Sequence, residues 1–280
     1  MSKHPASAQD PALAAIAASF VQARLQGRAL AGFPGQAPAG LVGAYSVQDL
    51  AIAQWPDRIV GWKVGYIAEG RREASGDDRL LGPIFARSLQ PAADVVDIEV
   101  FAGGFGAVEA EYVLQLEGDA PAGKDDWTPA QVEDFPARLF IGAEVASSPL
   151  ATINALGPCV VVSDFGNNNG LVLGAEIADW KRIPEPELVA RTWIGERLAG
   201  SGGAATLPGG LRAALAFALN RSARRGRPLQ AGTLVATGNA TGIHDIAPGE
   251  DSRVEFDGHG ALRLRAVAAR PHPRAEGGHA

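Results

Sequence analysis

Apolar positions first recur at helical spacing after Asp10. Leu13, Ile16, Ala17 and Phe20 fall on one side of a helix, Asp10 stands where an N-cap belongs and Pro11 takes the first helical position. The pattern predicts a helix running to about Gly27. A Gly/Pro connection, AGFPGQAPAG, fills residues 31–40. SVQD, residues 46–49, resembles a capping arrangement with Asp in place of the usual Glu or Gln, and predicts a short helix through Leu50 and Ile52 that Pro56 stops.

From residue 59 the period changes. RIVGWKVGYI reads as a strand with glycine interruptions, LLGPIFARSL as a turn with an extended segment, and DVVDIEV alternates as a strand does. FPARLFIGAEVA mixes strand and helix character and is expected to end as a strand. PCVVVSDFGNNNGLVLGAEI passes from an apolar run through a glycine-asparagine turn into a second apolar run. LPGGLRAALAFALNRSARRG is the clearest later helix, with Leu211, Ala214, Leu215, Ala218 and Leu219 as its apolar stripe. Its basic C-terminal end and Gly226 suit the helix dipole and a C-cap. QAGTLVATGNATG and SRVEFDG read as closing strands, and PHPRAEGGHA as a mobile tail. No repeat of 20–50 residues is present. Helices, strands, one helix, then strands predict an α+β protein dominated by a coiled sheet rather than a doubly wound fold.

One strand raises a chemical question. In AVEAEYVLQL, residues 107–116, alternation puts Glu109, Glu111, Val113 and Gln115 on one face and Ala110, Tyr112, Leu114 and Leu116 on the other. The second face reads as the packed one. The first is either turned to water or shares a cation, because two carboxylates about 4 Å apart cost roughly 4 kcal/mol at an effective dielectric near 20. Glu144 in LFIGAEVASS is a third carboxylate in an apolar setting. Three carboxylates plus water make a hard, oxygen-rich site suited to Mg²⁺ or Mn²⁺.

Composition narrows the choices. At 46% hydrophobic and 20% charged the chain is globular rather than disordered, and its 280 residues lie near the upper end for one core. A net charge of -6 gives no nucleic-acid footprint, though it does not forbid small anionic substrates at a local cation. Cys159 is the single cysteine, so a disulfide framework within the chain is impossible and a small buried hydrophobe is expected there. No apolar run predicts a membrane span, and MSKHPASAQD lacks the apolar core of a signal sequence, which makes the cytoplasm the expected location. Phosphate-loop, dinucleotide, G-x-S-x-G, H-E-x-x-H and C-x-x-C signatures are absent. His4, His272 and His279 fall near the two ends. His259, in DGHG, reads as a surface turn, and His244 as a structural or solvent-facing residue unless it lines a site.

The ordered segments GWKVG (61–65), VEAE (108–111), GAEVASS (142–148), SDFGNNNG (163–170) and LVATGNATG (234–242) resemble the fumarylacetoacetate hydrolase superfamily. Within it they are most similar to the 2-keto-4-pentenoate hydratase and 4-oxalocrotonate decarboxylase branch. The resemblance implies a mixed β-sheet roll: a helical portion over residues 1–58, a catalytic mixed-sheet domain over 59–270 and a flexible tail over 271–280. It implies that Glu109, Glu111 and Glu144 hold Mg²⁺ or Mn²⁺ and that Lys63 lies at the substrate pocket. Asp164 falls where many relatives read Ser-Asp-Asn, with Phe165 in place of Asn. LPGG (207–210) stands where the branch commonly has Gly-His-Pro, so Gly209 and Gly210 are a second departure. The His-Glu dyad of the carbon-carbon hydrolases has no convincing match.

On this resemblance the expected activity is hydration of a 2-hydroxy-2,4-dienoate to a 4-hydroxy-2-oxo acid, as in aromatic hydrocarbon catabolism. A 4-oxalocrotonate-type decarboxylase is the close runner-up, and a non-catalytic, metal-binding partner subunit is the alternative of another class. Lys63 would hydrogen-bond the substrate carboxylate or enolate, or move a proton, with a Schiff base as a third option. Asp164 either caps a turn or positions water as a catalytic residue, and Thr241 and Gly242 are candidate substrate-binding residues. Expected partners are a small 2-oxo acid, further copies of the chain in a homo-oligomer, and a related decarboxylase, hydratase or aldolase subunit, with neither nucleic acid nor membrane.

Overall fold

The computed structural model describes residues 10–73 and 77–272. Helix α1, Pro11–Leu25, starts as expected: Asp10 Oδ1 accepts from Ala12 N at 2.9 Å with Pro11 in the first turn. Helix α2, Leu41–Gln54, begins five residues before the predicted capping segment. Its Leu41 N–H is satisfied from a distance by Glu73 Oε1 at 2.6 Å, so a local cap is unnecessary. Ser46 therefore lies inside the helix and donates back to Val42 O at 3.1 Å, while Asp49 pairs with Arg225 and Arg227.

The strands that follow are β1 (Ile59–Tyr66), β2 (Arg79–Phe85), β3 (Leu89–Pro91), β4 (Val96–Val100), β5 (Phe105–Leu116) and β6 (Ala137–Ser148). Two short helices, α3 (Ile153–Leu156) and α4 (Pro158–Ser163), precede β7 (Asn168–Ile177), β8 (Val189–Ile194) and β9 (Arg197–Gly203). Pro158 sits at the first helical position of α4, which is why the apolar PCVVVS is helical despite its three valines. Helix α5, Gly210–Arg224, buries its predicted leucine-alanine stripe. Glu185 Oε1 accepts from Leu211 N at 3.0 Å at its start, directly after the LPGG departure. Strands β10 (Leu234–Asn239), β11 (His244–Asp245), β12 (Asp251–Phe256) and β13 (Gly260–Ala268) complete the chain.

The result is α+β, with a mixed sheet in the order β2-β1-β10-β5-β6-β7-β3, β11 pairing β5, and a second sheet in the order β4-β13-β12-β8-β9. Strands β5 and β6 form the antiparallel centre, paired without slip from Phe105↔Ser148 to Leu116↔Ala137. One face of β5 packs towards the second sheet, with Tyr112 edge-on to Phe256 at 5.3 Å. Helix α5 packs on β10, β1 and β2. The opposite face holds a small apolar cluster of Ile84, Val113, Phe140, Leu171, Leu234 and Ala236.

A third apolar cluster joins α1, α2 and α4 through Ile16, Phe20, Val47, Phe85, Val160 and Phe165. His272 is docked there, its N–H on Leu25 O at 2.9 Å and its ring edge-on to Trp55 at 5.0 Å. Residues 273–280 of the expected tail, His279 with them, and His4 lie outside the described residues. His259 lies in the β12–β13 turn, as expected, half-buried. Cys159 is half-buried, with its thiol on Glu73 Oε1 at 3.2 Å. Among the described residues no helix is long and apolar enough to cross a membrane.

Candidate metal centre

Strand register brings the acidic residues together. Glu109 and Glu144 are direct cross-strand partners on β5 and β6, and Glu111 follows two positions along the same face. The three carboxylates each offer an oxygen, and these atoms lie within 4.8 Å of one another. They are 2%, 0% and 1% exposed for Glu109, Glu111 and Glu144, which excludes the water-facing reading of this sheet face.

Lys63 joins from β1. Its strand pairs with β10 at Lys63↔Ala236, and β10 pairs with β5 at Ala236↔Val113, so the lysine lies on the carboxylate face. Its Nζ is 3.2 Å from Glu144 Oε1. Trp62 and Val64 anchor the other side of the strand as predicted, both buried. Gly82 faces Lys63 across β1–β2, and a Cβ there would meet the Phe165 carbonyl at 2.2 Å, so only glycine permits this approach of β2 to the turn.

Backbone and amide groups fix the carboxylates. Asn168 Nδ2 donates to Glu144 Oε1 at 3.1 Å, and Gly238 N donates to Glu111 Oε2 at 2.7 Å. Gly238 has φ +120°, which a glycine adopts freely and which turns its N–H out of the β10 ladder at a bulge. Each carboxylate still keeps one buried oxygen without a partner: Oε1 of Glu109, Oε1 of Glu111 and Oε2 of Glu144. Buried polar atoms are rarely left unpaired, and three convergent carboxylates that each keep an orphan oxygen fit a hard divalent cation.

The charges are tightly coupled. Burial pushes the Glu109 carboxyl up to about 7, opposed by Lys63, reinforced by Glu144 and lowered again by the Asn239 amide. Burial, then Glu144 and Glu109, push Glu111 well above the ordinary carboxylate value. For Lys63 burial disfavours the ammonium, but the three glutamates outweigh it and hold the group above its usual value.

The other expected site residues stand apart. Both Asp164 oxygens are engaged: Oδ1 by Arg24 Nε at 2.5 Å, Oδ2 by Arg24 Nη2 at 3.0 Å and Ser148 Oγ at 2.6 Å. No hydrogen bond among the described residues joins Asp164 to Lys63 or the glutamates. Its carboxylate ties Arg24 of α1 to Ser148 at the end of β6. Thr241 turns to the second sheet, its Oγ1 2.8 Å from Thr192 Oγ1 and 3.2 Å from His244 Nε2. Gly242 lies in the same turn, beside the His244 ring. The part of GNATG that meets the glutamates is Gly238 and Asn239, at the β10 bulge, rather than Thr241 and Gly242 beyond it. Arg24, on Asp164, and Asn168, on Glu144, are neighbours missing from the sequence-based set. The triplet NNN did suggest a tight turn, but nothing in it marked which Asn faces inward.

A cavity of about 510 Å³, lined by Trp55, Phe85, Phe165, Asn168 and His272, lies behind Asn168, and neither Lys63 nor any of the three glutamates lines it. A smaller one of about 190 Å³ adjoins the cluster at Gly238 and Asn239. Volume alone does not single out the carboxylate triad; its orphan oxygens do.

No family profile matches the chain, and no curated protein matches it in sequence. Solved structures do match. 4-Oxalocrotonate decarboxylase from Pseudomonas putida G7, complexed with magnesium and adipate, is similar with a TM-score of 0.76 and 22% identity over 91% of this chain and 97% of that one. The same enzyme with calcium and acetate gives 0.75 and 21% over 92% and 98%. Fumarylpyruvate hydrolase from Pseudomonas aeruginosa, in complex with Mn²⁺ and pyruvate, gives 0.51 and 16% over 76% and 90%. The curled mixed sheet, the helices before it and these similarities agree: the chain has the fold of the fumarylacetoacetate hydrolase superfamily.

Proposed function

We propose that the protein is a divalent-metal-dependent lyase of small 2-oxo acids, and that its reaction is the decarboxylation of a 4-oxalocrotonate-type 2-oxo-3-enedioate. The observation that carries the reading is the buried triad Glu109, Glu111 and Glu144 with its three orphan oxygens. The hydratase expectation gives way to the decarboxylase one because the two similar structures with TM-scores of 0.76 and 0.75 named above are of 4-oxalocrotonate decarboxylase.

Glu109, Glu111 and Glu144 would hold Mg²⁺ or Mn²⁺, which when bound supplies a Lewis acid for the 1-carboxylate and 2-oxygen of the substrate. Asn168 and the Gly238 N–H keep two of the carboxylates in place. Lys63 donates a hydrogen bond to the charge that grows on the 2-oxygen. The apolar floor of Val113, Ala236 and Leu171 excludes water and strengthens that interaction. As the distal carbon-carbon bond breaks, its electron pair moves through the 3-alkene to the 2-oxygen and CO₂ leaves. A proton delivered from Lys63 gives the 2-hydroxy-2,4-dienoate, and the lysine regains its proton from water.

The test is incubation of the purified protein with Mg²⁺ and 4-oxalocrotonate, following CO₂ and the dienol. CO₂ release is expected. Conversion of a 2-hydroxy-2,4-dienoate to a 4-hydroxy-2-oxo acid, with no CO₂ from the diacid, would restore the hydratase assignment. Ion uptake with neither product, and activation of a related subunit, would establish the non-catalytic partner.

A further inference from the structure

The carboxylate triad is answered by one cation. Among the described residues Lys63 is the lysine or arginine whose charged group pairs with any of the three glutamates, and it is buried with them. It grips one oxygen, Glu144 Oε1, the same atom that accepts from Asn168, and leaves Glu144 Oε2 unpartnered, as Glu109 Oε1 and Glu111 Oε1 also are. Three ionised carboxylates less one ammonium leave two negative charges, the complement of a single divalent ion. Lysine and ion therefore need not exclude one another: they divide the triad between them.

We propose that Lys63 is the fixed counter-ion of the metal centre. It keeps Glu144 aligned with Glu109 and Glu111 when the divalent ion is withdrawn, and it brings the loaded centre to neutrality. This rests on the metal-binding reading above, and it adds a role distinct from proton delivery. The buried carboxylates repel one another at short range, so without the ammonium the triad depends on the ion alone. Removing the lysine should then have two opposed effects: the metal-stripped protein weakens, while the ion meets one more uncompensated negative charge and binds tighter.

The test compares wild type, Lys63→Met and the charge-retaining Lys63→Arg, each stripped with a chelator and titrated with Mn²⁺, with calorimetry and thermal unfolding as readouts. Lys63→Met is expected to melt at least about 3 °C below wild type without metal. It should bind Mn²⁺ at least about threefold tighter and gain more melting temperature from it. Lys63→Arg should stay within about twofold of the wild-type affinity. A Lys63→Met protein that folds only with Mn²⁺ present would support the same conclusion, because the ion then replaces the lysine. Equal or weaker Mn²⁺ binding by Lys63→Met, with an unchanged metal-free melting temperature, would overturn the counter-ion role and leave the metal reading standing. Wild-type protein that takes up no Mn²⁺ would overturn both.

Discussion

Arg24 and Asp164, 140 residues apart in the chain, meet as a buried fork, with Nε 2.5 Å from Oδ1 and Nη2 3.0 Å from Oδ2. The same guanidinium donates to the carbonyls of Ser147 and Asn168 and lies 5.1 Å over the Phe165 ring. Helix α1 is thereby fastened to the end of β6 and to the turn that delivers Asn168 to Glu144. Breaking a buried pair strands the remaining charge, so Arg24→Met should cost about 3–5 kcal/mol in urea unfolding. Adding Asp164→Asn to it should cost less than Arg24→Met alone. A double variant weaker than the single one would show that the stranded carboxylate is not the source of the loss.

Asn168→Ala separates orientation from folding. The amide holds Glu144 Oε1 at 3.1 Å, and partners of metal ligands typically contribute about 10- to 100-fold in affinity. Mn²⁺ binding should fall within that range, while stability changes by only about 1 kcal/mol. Isothermal titration beside denaturant unfolding reads both quantities. Unchanged Mn²⁺ affinity would remove Asn168 from the centre.

Which parts were legible in the sequence follows from the range of the forces involved. The Glu-x-Glu pair could be read because residues two apart share a strand face, a local rule. Glu144 could be suspected from its apolar setting, but its pairing opposite Glu109 is a register, fixed by the whole β5–β6 ladder. Arg24 was hidden for another reason. A basic residue in the last turn of a helix satisfies the dipole wherever its side chain goes, so its burial leaves no local mark. The start of α2 was misplaced because its cap, Glu73, lies 32 residues beyond Leu41, whereas Ser46 to Asp49 supplied a local imitation.

Phe165 shows a long-range preference overruling a local one. Its φ of +53° suits Asn far better than a bulky aromatic. Its ring is held by Phe85 at 5.0 Å and Trp55 at 5.6 Å, edge-on to both. Phe165→Asn should relieve about 1–2 kcal/mol of backbone strain while forfeiting about 3–5 kcal/mol of aromatic burial. A net loss of about 2–3 kcal/mol in chemical unfolding is the expected balance. A stabilised variant would show that the aromatic cluster contributes less than the strain it imposes.

The raised carboxyls give the metal-stripped protein a pH signature. Glu109 sits at about 7 in the folded chain against an ordinary 4.5, so the folded state binds more protons than the unfolded one between those values. Stability must then fall as pH rises through this window, and Glu111, pushed the same way, extends the loss upward. With chelator present the protein should melt higher at pH 5 than at pH 8, the Glu109 contribution being about 3 kcal/mol at most. Saturating Mn²⁺ should flatten or reverse the slope, since only the ionised carboxylates bind the ion. A chelated protein that gains stability from pH 5 to pH 8 would contradict the burial of these charges.

Glu111→Gln sets folding against function at one atom pair. The amide keeps an oxygen for the Gly238 N–H, now 2.7 Å from Glu111 Oε2, and removes a charge that burial, Glu144 and Glu109 all disfavour. Stripped of metal at pH 8, the variant should therefore melt above wild type. At pH 5 the advantage should shrink, because the raised Glu111 carboxyl is less ionised there than at pH 8. Mn²⁺ affinity should drop by more than the about 100-fold upper range for a mere orienting partner, since a ligand itself is lost. Stability bought by neutralising a site residue is the usual sign that the site is held in a state folding alone would not select. If the variant instead melts lower at pH 8 while its backbone hydrogen bond survives, the ionised Glu111 contributes to folding, and the carboxylate cluster is a structural network, not a metal centre.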